Sequence, residues 1–256
     1  MIPDLIYDVG SHVGHDTAFY LHKGFRVLAI DAHPGMVDSV RTRFAQEIAR
    51  GRLTVLNAVI SGDEGDVDFW ISERDSGSSS LDRHRAGRLE SAVRQVQVPS
   101  VSLGQIFREY GVPYYLKIDI EGADHHCLQA LCRTDLPQYL SWEASADALQ
   151  SLDLVAQLGY RYFKCIDQLL FRQPSYRFSW PFRIDRKLRG WIGIGEPVEI
   201  ATAGWRFVPG HSAGPFGEDT NGAWHSLEKI KAQWITLCEK HPKLSAWYDF
   251  HARFER

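Results

Sequence analysis

Two strand-like stretches of this 256-residue chain end in carboxylates. In Lys117-Ile118-Asp119-Ile120-Glu121-Gly122, side chains alternate along a strand, so Lys117, Asp119 and Glu121 project one way and Ile118 and Ile120 the other. Charges on an apolar strand are costly unless they are paired or functional. Tyr139-Leu140-Ser141-Trp142-Glu143 repeats the pattern. Convergence of Asp119, Glu121 and Glu143 could hold a divalent cation, for which oxygen ligands select Mg²⁺ or Ca²⁺. One of them could instead act as a general base on a substrate hydroxyl. The bland alternative is a Lys–carboxylate network that holds the strand end, since structural ion pairs imitate active sites. His125 and His126 follow at once, and successive helical positions face different ways, so a solvated or capping role suits the pair.

A second polar centre opens the chain: Ile6-Tyr7-Asp8-Val9-Gly10-Ser11-His12-Val13-Gly14 reads as a buried strand, a glycine turn and a helix start. Gly10 and Gly14 allow backbone conformations and close approaches that a Cβ forbids. A dinucleotide fingerprint would need a middle glycine where His12 stands, and Asp8 would repel a diphosphate. A cationic ligand is favoured by the same carboxylate. S-adenosylmethionine (SAM) fits, with a sulfonium, an ammonium and no phosphate. The next strand, Arg26–Ile30, ends at Asp31, where an acidic side chain can accept both hydroxyls of a ribose. NAD is the weaker option.

The elements that must position these groups alternate. Strands at 26–30, 53–56, 114–120, 139–142 and 160–165 are separated by helical stretches, which predicts an α/β fold with a mainly parallel sheet. Pro34 suits the first turn of a helix reaching about Ala49, and Ser102 suits the cap of a helix ending at Tyr110. Val67–Ser72 and Val93–Val98 read as strands, with residues 73–92 as a mobile loop centred on Gly77-Ser78-Ser79-Ser80-Leu81. Leu169-Leu170-Phe171 is expected to pair beside the 160–165 strand. Hydrophobic residues make up 44% of the chain and the net charge is -3, so there is a core but no electrostatic case for nucleic acid. No apolar run reaches membrane-spanning length and no leader is recognised. The four cysteines show no metal or disulfide spacing, which points to reduced thiols in the cytoplasm.

The ordered set of motifs carries a likeness. Asp8–Thr17, Val27–Pro34, Leu56–Ser61, Gly77–Leu81, Val101–Leu103, Lys117–Asp124 and Trp142-Glu143 together resemble the FkbM family of SAM-dependent methyltransferases. The likeness covers about residues 5–172. It implies the class I, Rossmann-like methyltransferase fold, a seven-stranded, mostly parallel sheet with helices on both faces and one antiparallel strand at the edge. It implies O-methylation of a small-molecule hydroxyl, on a sugar, polyketide or other natural product. By position, Asp8, Gly10 and Gly14 would line the methionine side of SAM, with Ser11, His12 and Asp16 as further contacts. Asp31 would hold the ribose, and Asn57-Ala58 the adenine edge. Lys117, Asp119 and Glu121, with Glu143, would face the acceptor as the catalytic set. The family often has Glu where Asp31 stands, and Ala-Asn where this chain has Ser11-His12.

Residues 173–256 lie outside the likeness and form a second region. Five of the eight tryptophans fall between 180 and 234, and Gly210–Thr220 is glycine-rich and polar. Ser226–Lys240 reads as an amphipathic helix, and Leu244–Phe254 as an apolar-aromatic tail. Aromatic faces stack on sugars, so this extension is an acceptor lid or, with its arginines, a homodimer surface. A non-catalytic SAM- or nucleoside-binding subunit of a biosynthetic complex is the rival reading, and an NAD-dependent oxidoreductase the third. Retention of Lys117, Asp119 and Glu121 speaks for catalysis.

Overall fold

The computed structural model describes residues 1–61, 65–74, 76–87, 92–120, 123–174, 198–199, 204–208, 212–240 and 248–255. Seven strands make one mostly parallel sheet, in the order Leu53–Asn57, Arg26–Asp31, Ile2–Val9, Pro113–Ile118, Tyr139–Glu143, Tyr248–Arg253 and Tyr162–Asp167, and three more strands make a smaller one. By contacts the chain divides into two compact units, Met1–Gln138 and Tyr139–Arg256.

In the first unit, β1 (Ile2–Val9), β2 (Arg26–Asp31), β3 (Leu53–Asn57), and later β7 (Pro113–Ile118), pair in parallel. Ile6, Tyr7, Val27, Leu28, Ala29, Ile30, Tyr115 and Leu116 are all buried. Strands of a parallel sheet with both faces covered read as such apolar runs. Helices α1 (His15–His22), α2 (Pro34–Arg43) and α3 (Ala45–Ala49) fill the connections. The single helix expected from Pro34 to Ala49 is thus broken at Phe44, whose φ of -112° is not helical.

The smaller sheet is β4 (Val59–Ile60), β5 (Gly65–Ser72) and β6 (Val93–Val101), closed over Val59, Phe69, Ile71 and Val98, with Ala32 and Leu81 against that cluster. The segment expected to be a mobile loop is built in where it is described. It holds a 3₁₀ turn at Ser76–Ser78 and a helical turn, α4 (Arg83–Ala86), capped by Asp82. Trp70 and Ser80 exchange two backbone hydrogen bonds, and Ser79 Oγ accepts from the Ser72 N–H at 3.1 Å. Helix α5 (Leu103–Tyr110) starts at Ser102 with a reciprocal Ser102–Gln105 capping box, as the sequence predicts. Helix α6 (Asp124–Ala130) follows β7.

The second unit contains β8 (Tyr139–Glu143), α7 (Ala148–Leu158), β9 (Tyr162–Asp167), β10 (Val198–Glu199), β11 (Arg206–Phe207), α8 (Leu227–Lys240) and β12 (Tyr248–Arg253). The expected tail is therefore a sheet strand. β12 runs antiparallel to both β8 and β9, so the antiparallel strand lies inside the sheet rather than at its edge, and β9 is the edge strand. Residues 168–171 form a turn on Asp167, whose carboxylate accepts from the Leu169 and Leu170 N–H groups, rather than a paired strand. One face of β8-β12-β9 is apolar: Trp142 and Phe250 pack at 5.6 Å, and Trp234 of α8 meets Phe250 edge-on at 5.1 Å. The other face sets Ser141, His251 and Lys164 abreast, then Tyr139, Arg253 and Tyr162.

Candidate functional site

The site of the first unit starts from backbone geometry at the carboxyl end of β1. Gly10 has φ +80°, and a Cβ there would overlap the Asp119 carbonyl oxygen. Asp119 N–H in turn donates to the Val9 carbonyl at 2.9 Å. The two strand ends therefore touch through backbone, which only glycine permits at position 10. Gly14, φ +77°, closes the turn through a 2.8 Å bond to the Ser11 carbonyl, with Phe44 within 2.7 Å of where a Cβ would stand.

Four charged side chains meet behind this turn. Lys117 Nζ lies 3.1 Å from Asp8 Oδ1, 3.4 Å from Asp16 Oδ2 and 3.6 Å from Asp119 Oδ2, and donates to the Gly10 carbonyl at 3.0 Å. Thr17 Oγ1 donates to Asp8 Oδ2 at 2.6 Å. Asp8, Asp16 and Lys117 are buried, whereas the Asp119 side chain is 37% exposed. Burial pushes the Asp8 carboxyl up to about 6, against the opposing pull of Lys117. Burial works against the Lys117 ammonium, yet Asp8, Asp16 and Asp119 outweigh it and hold its pKa well above the usual lysine range. One cation among three carboxylates leaves the cluster net acidic, with Asp119 as its solvent-facing member.

Asp31, at the end of β2, already accepts two backbone N–H bonds, from His12 at 2.7 Å and His33 at 2.8 Å. Its carboxyl is nonetheless raised by burial, which exceeds the opposing effect of those donors. The Asn57 amide NH₂ donates to the Asp31 and Ala32 carbonyls at 2.9 and 3.1 Å. The Ala58 N–H also goes to the Asp31 carbonyl. The expected adenine-edge pair thus holds the turn after β2. Ser11 is 4% exposed, and its hydroxyl finds no hydrogen-bond partner among the described residues. An orphaned buried hydroxyl in a glycine cradle, beside a net-acidic cluster, suits a cationic ligand with hydrogen-bonding groups.

Glu143 ends β8 in the second unit, directly across from Asp249 in the antiparallel register. Glu121 lies outside the described residues. Among the described residues no group of three or more His, Cys, Asp or Glu side chains is placed to hold a metal ion. The rings of His125 and His126 lie close together, centroids 4.0 Å apart and tilted by 38°. Asp16 is a site residue by the resemblance, and its partnership with Lys117 leaves no local sequence signal because the two are 101 positions apart.

In the second unit, the described part of the glycine-rich stretch serves packing. Ala213 to Gly217 are buried, Gly214 stands where a Cβ would overlap the Phe171 ring, and Gly217 lies against Tyr139. Lys164 Nζ donates to the Thr220 carbonyl and hydroxyl at 2.9 and 2.8 Å and lies 4.4 Å from the Trp224 ring centre. Glu218 accepts from Tyr139, Trp224 and Arg253. This stretch covers the polar face of β8-β12-β9.

The chain matches the family described as Methyltransferase FkbM domain over residues 8–162, and it belongs to that family. Membership brings SAM as the methyl donor. Solved structures similar to it include precorrin-6y C5,15-methyltransferase from Geobacter metallireducens GS-15, at 13% identity over 64% of this chain and 67% of that one, TM-score 0.37. Precorrin 8w decarboxylase from Methanobacterium thermoautotrophicum follows at 12% over 64% and 68%, TM-score 0.35. Residues 942–1257 of StiE, an O-MT, match at 10% over 99% and 68%, TM-score 0.41. No curated protein matches the chain. No helix among the described residues is long and apolar enough to cross a membrane.

Proposed function

We propose that this chain methylates a hydroxyl oxygen of a small-molecule acceptor, with Asp119 as the general base. The observation that carries this reading is the Asp8–Asp16–Lys117–Asp119 cluster behind the Gly10–Gly14 turn, of which Asp119 alone is substantially exposed. When bound, SAM supplies a sulfonium whose methyl–sulfur bond breaks as the acceptor oxygen attacks, its electron pair staying on sulfur. Asp119 takes the hydroxyl proton as the new carbon–oxygen bond forms. Lys117 holds that carboxylate in place through its 3.6 Å contact. Asp8 and Asp16 fix Lys117 from behind, so the strand end is rigid before ligand arrives. Positioning of this kind supplies much of the acceleration for an in-line displacement. Gly10, Ser11 and Gly14 form the cradle for the methionine end, and Asp31 stands where the ribose hydroxyls belong.

A sugar or another polyhydroxylated natural product is the acceptor class we favour. Calorimetric titration with SAM, S-adenosylhomocysteine and NAD tests the cofactor half. Micromolar binding of the first two and none of NAD is expected, and binding of NAD alone would overturn the reading. For the catalytic half, Asp119→Asn should lower turnover by about 10²–10⁴-fold while SAM affinity stays within a few-fold. Loss of SAM binding instead would make Asp119 a cofactor or structural residue.

A further inference from the structure

The motif Gly77-Ser78-Ser79-Ser80-Leu81 has no part in the chemistry above, yet both ends of its segment reach the residues that flank Asp31. At one end, Leu81 packs on the cluster that also takes in Ala32, the residue after Asp31. At the other, Ser76 Oγ lies 2.8 Å from His12 Nε2, and the His12 backbone N–H donates to Asp31 Oδ2 at 2.7 Å. His12 adopts φ +48°, a left-handed conformation uncommon outside glycine, at the position where glycine would be the easy choice. Strain of this kind persists where surrounding structure over-determines it and gathers at ligand sites.

Between these anchors the segment is tied to β5. Trp70 and Ser80 are paired through backbone, Ser79 Oγ accepts from Ser72, and Ser80 Oγ accepts from the Asp82 N–H at 3.2 Å. Ser79 and Ser80 are buried and engaged in this anchoring. The span between them is thus short and its place is set: the Ser76–Ser78 turn is hydrogen-bonded to the imidazole of His12, the residue that grips Asp31.

We infer that the Ser76–Ser78 turn is a wall of the nucleoside end of the cofactor site, and that His12 is the positioning residue that clamps this wall and Asp31 to the glycine turn. The inference rests on the SAM reading of the site. His12 acts in two separable ways: its backbone N–H orients the Asp31 carboxylate toward a ribose, and its ring holds the turn. The turn then borders the ligand on the side away from Lys117 and Asp119, so it bears on nucleoside affinity rather than on the transferred methyl.

Three variants separate these roles. His12→Asn keeps a residue tolerant of the left-handed conformation and keeps the N–H to Asp31, but is too short to reach Ser76. Ser76→Ala removes the other partner, and the double variant removes both. S-adenosylhomocysteine is titrated into each, with thermal melting alongside. Each single variant should bind about three- to tenfold more weakly, the scale of one hydrogen bond, with melting within about 3 °C of the parent. The double variant should bind no more weakly than either single one, because both cut the same link. Wild-type affinity in Ser76→Ala, or additive losses in the double variant, would overturn the clamp. A parent protein that binds no S-adenosylhomocysteine would overturn the cofactor reading itself, a failure visible before any variant is made.

Discussion

Lys117 concentrates the electrostatic stakes of the first unit, since one ammonium faces three carboxylates and a carbonyl within 3.6 Å. Its removal leaves Asp8 and Asp16 buried together without a cation. Lys117→Ala should therefore lose about 3–5 kcal/mol of stability, read from urea midpoints, more than the loss of a surface lysine. Asp8 behaves in the opposite sense to a surface carboxylate. Its folded-state pKa of about 6 lies above the ordinary value of 3.8, so the folded protein binds the proton more readily than the unfolded chain. Its contribution to stability is greatest below about pH 4 and is lost as pH rises toward 6. Gly10→Ala should lose roughly 2–4 kcal/mol, because it sets a side chain against the Asp119 carbonyl at a φ of +80°. The types and the alternation of Lys117 and Asp119 were legible in the sequence. Their partners were not, because Asp8 and Asp16 come from the far end of the chain and meet Lys117 only through the parallel β1–β7 register.

At the scale of elements, β12 changes what a truncation can test. A chain cut after residue 172 removes the strand that pairs with both β8 and β9. Such a fragment should aggregate or melt without a cooperative transition, even if the C-terminal region acts only on the acceptor. Circular dichroism melting of the 1–172 fragment checks this, and a sharp native-like transition would show that β8 and β9 pair without β12. Ser102 announced its helix start because a cap is local chemistry. β12 did not announce itself as part of the sheet. Tyr248–Arg253 alternates between an apolar face toward Trp142 and Trp234 and a polar face toward Ser141 and Lys164, and its partners are distant in sequence.

At the scale of the molecule, the second unit carries an acid-sensitive row of its own. His251 is 2% exposed and lies between Ser141 and Lys164 in the sheet register. Burial, reinforced by Lys164, pulls its pKa down to about 3. A histidine depressed in the folded state stabilises fully above its unfolded pKa near 6.5, and that stability drains as pH falls toward 3, at up to about 1.4 kcal/mol per pH unit. Lys164 reinforces the effect because it stays charged throughout that range. Denaturant unfolding of the second unit should therefore weaken markedly between pH 7 and pH 4.5, and His251→Leu should flatten the fall. An unchanged slope in that variant would assign the acid sensitivity elsewhere.

The amino-acid sequence by itself determined the α/β class, the glycine turn after β1, the acidic ends of β2 and β7 and the FkbM family, because each is written in local pattern and order. Tertiary structure alone decided which charges share Lys117, that Asn57 holds a turn, and that the described part of the glycine-rich stretch is packing. It also decided that the supposed tail is a sheet strand. Pairing partners are chosen by register and burial, which sum contacts over the whole chain and leave no mark at any one position.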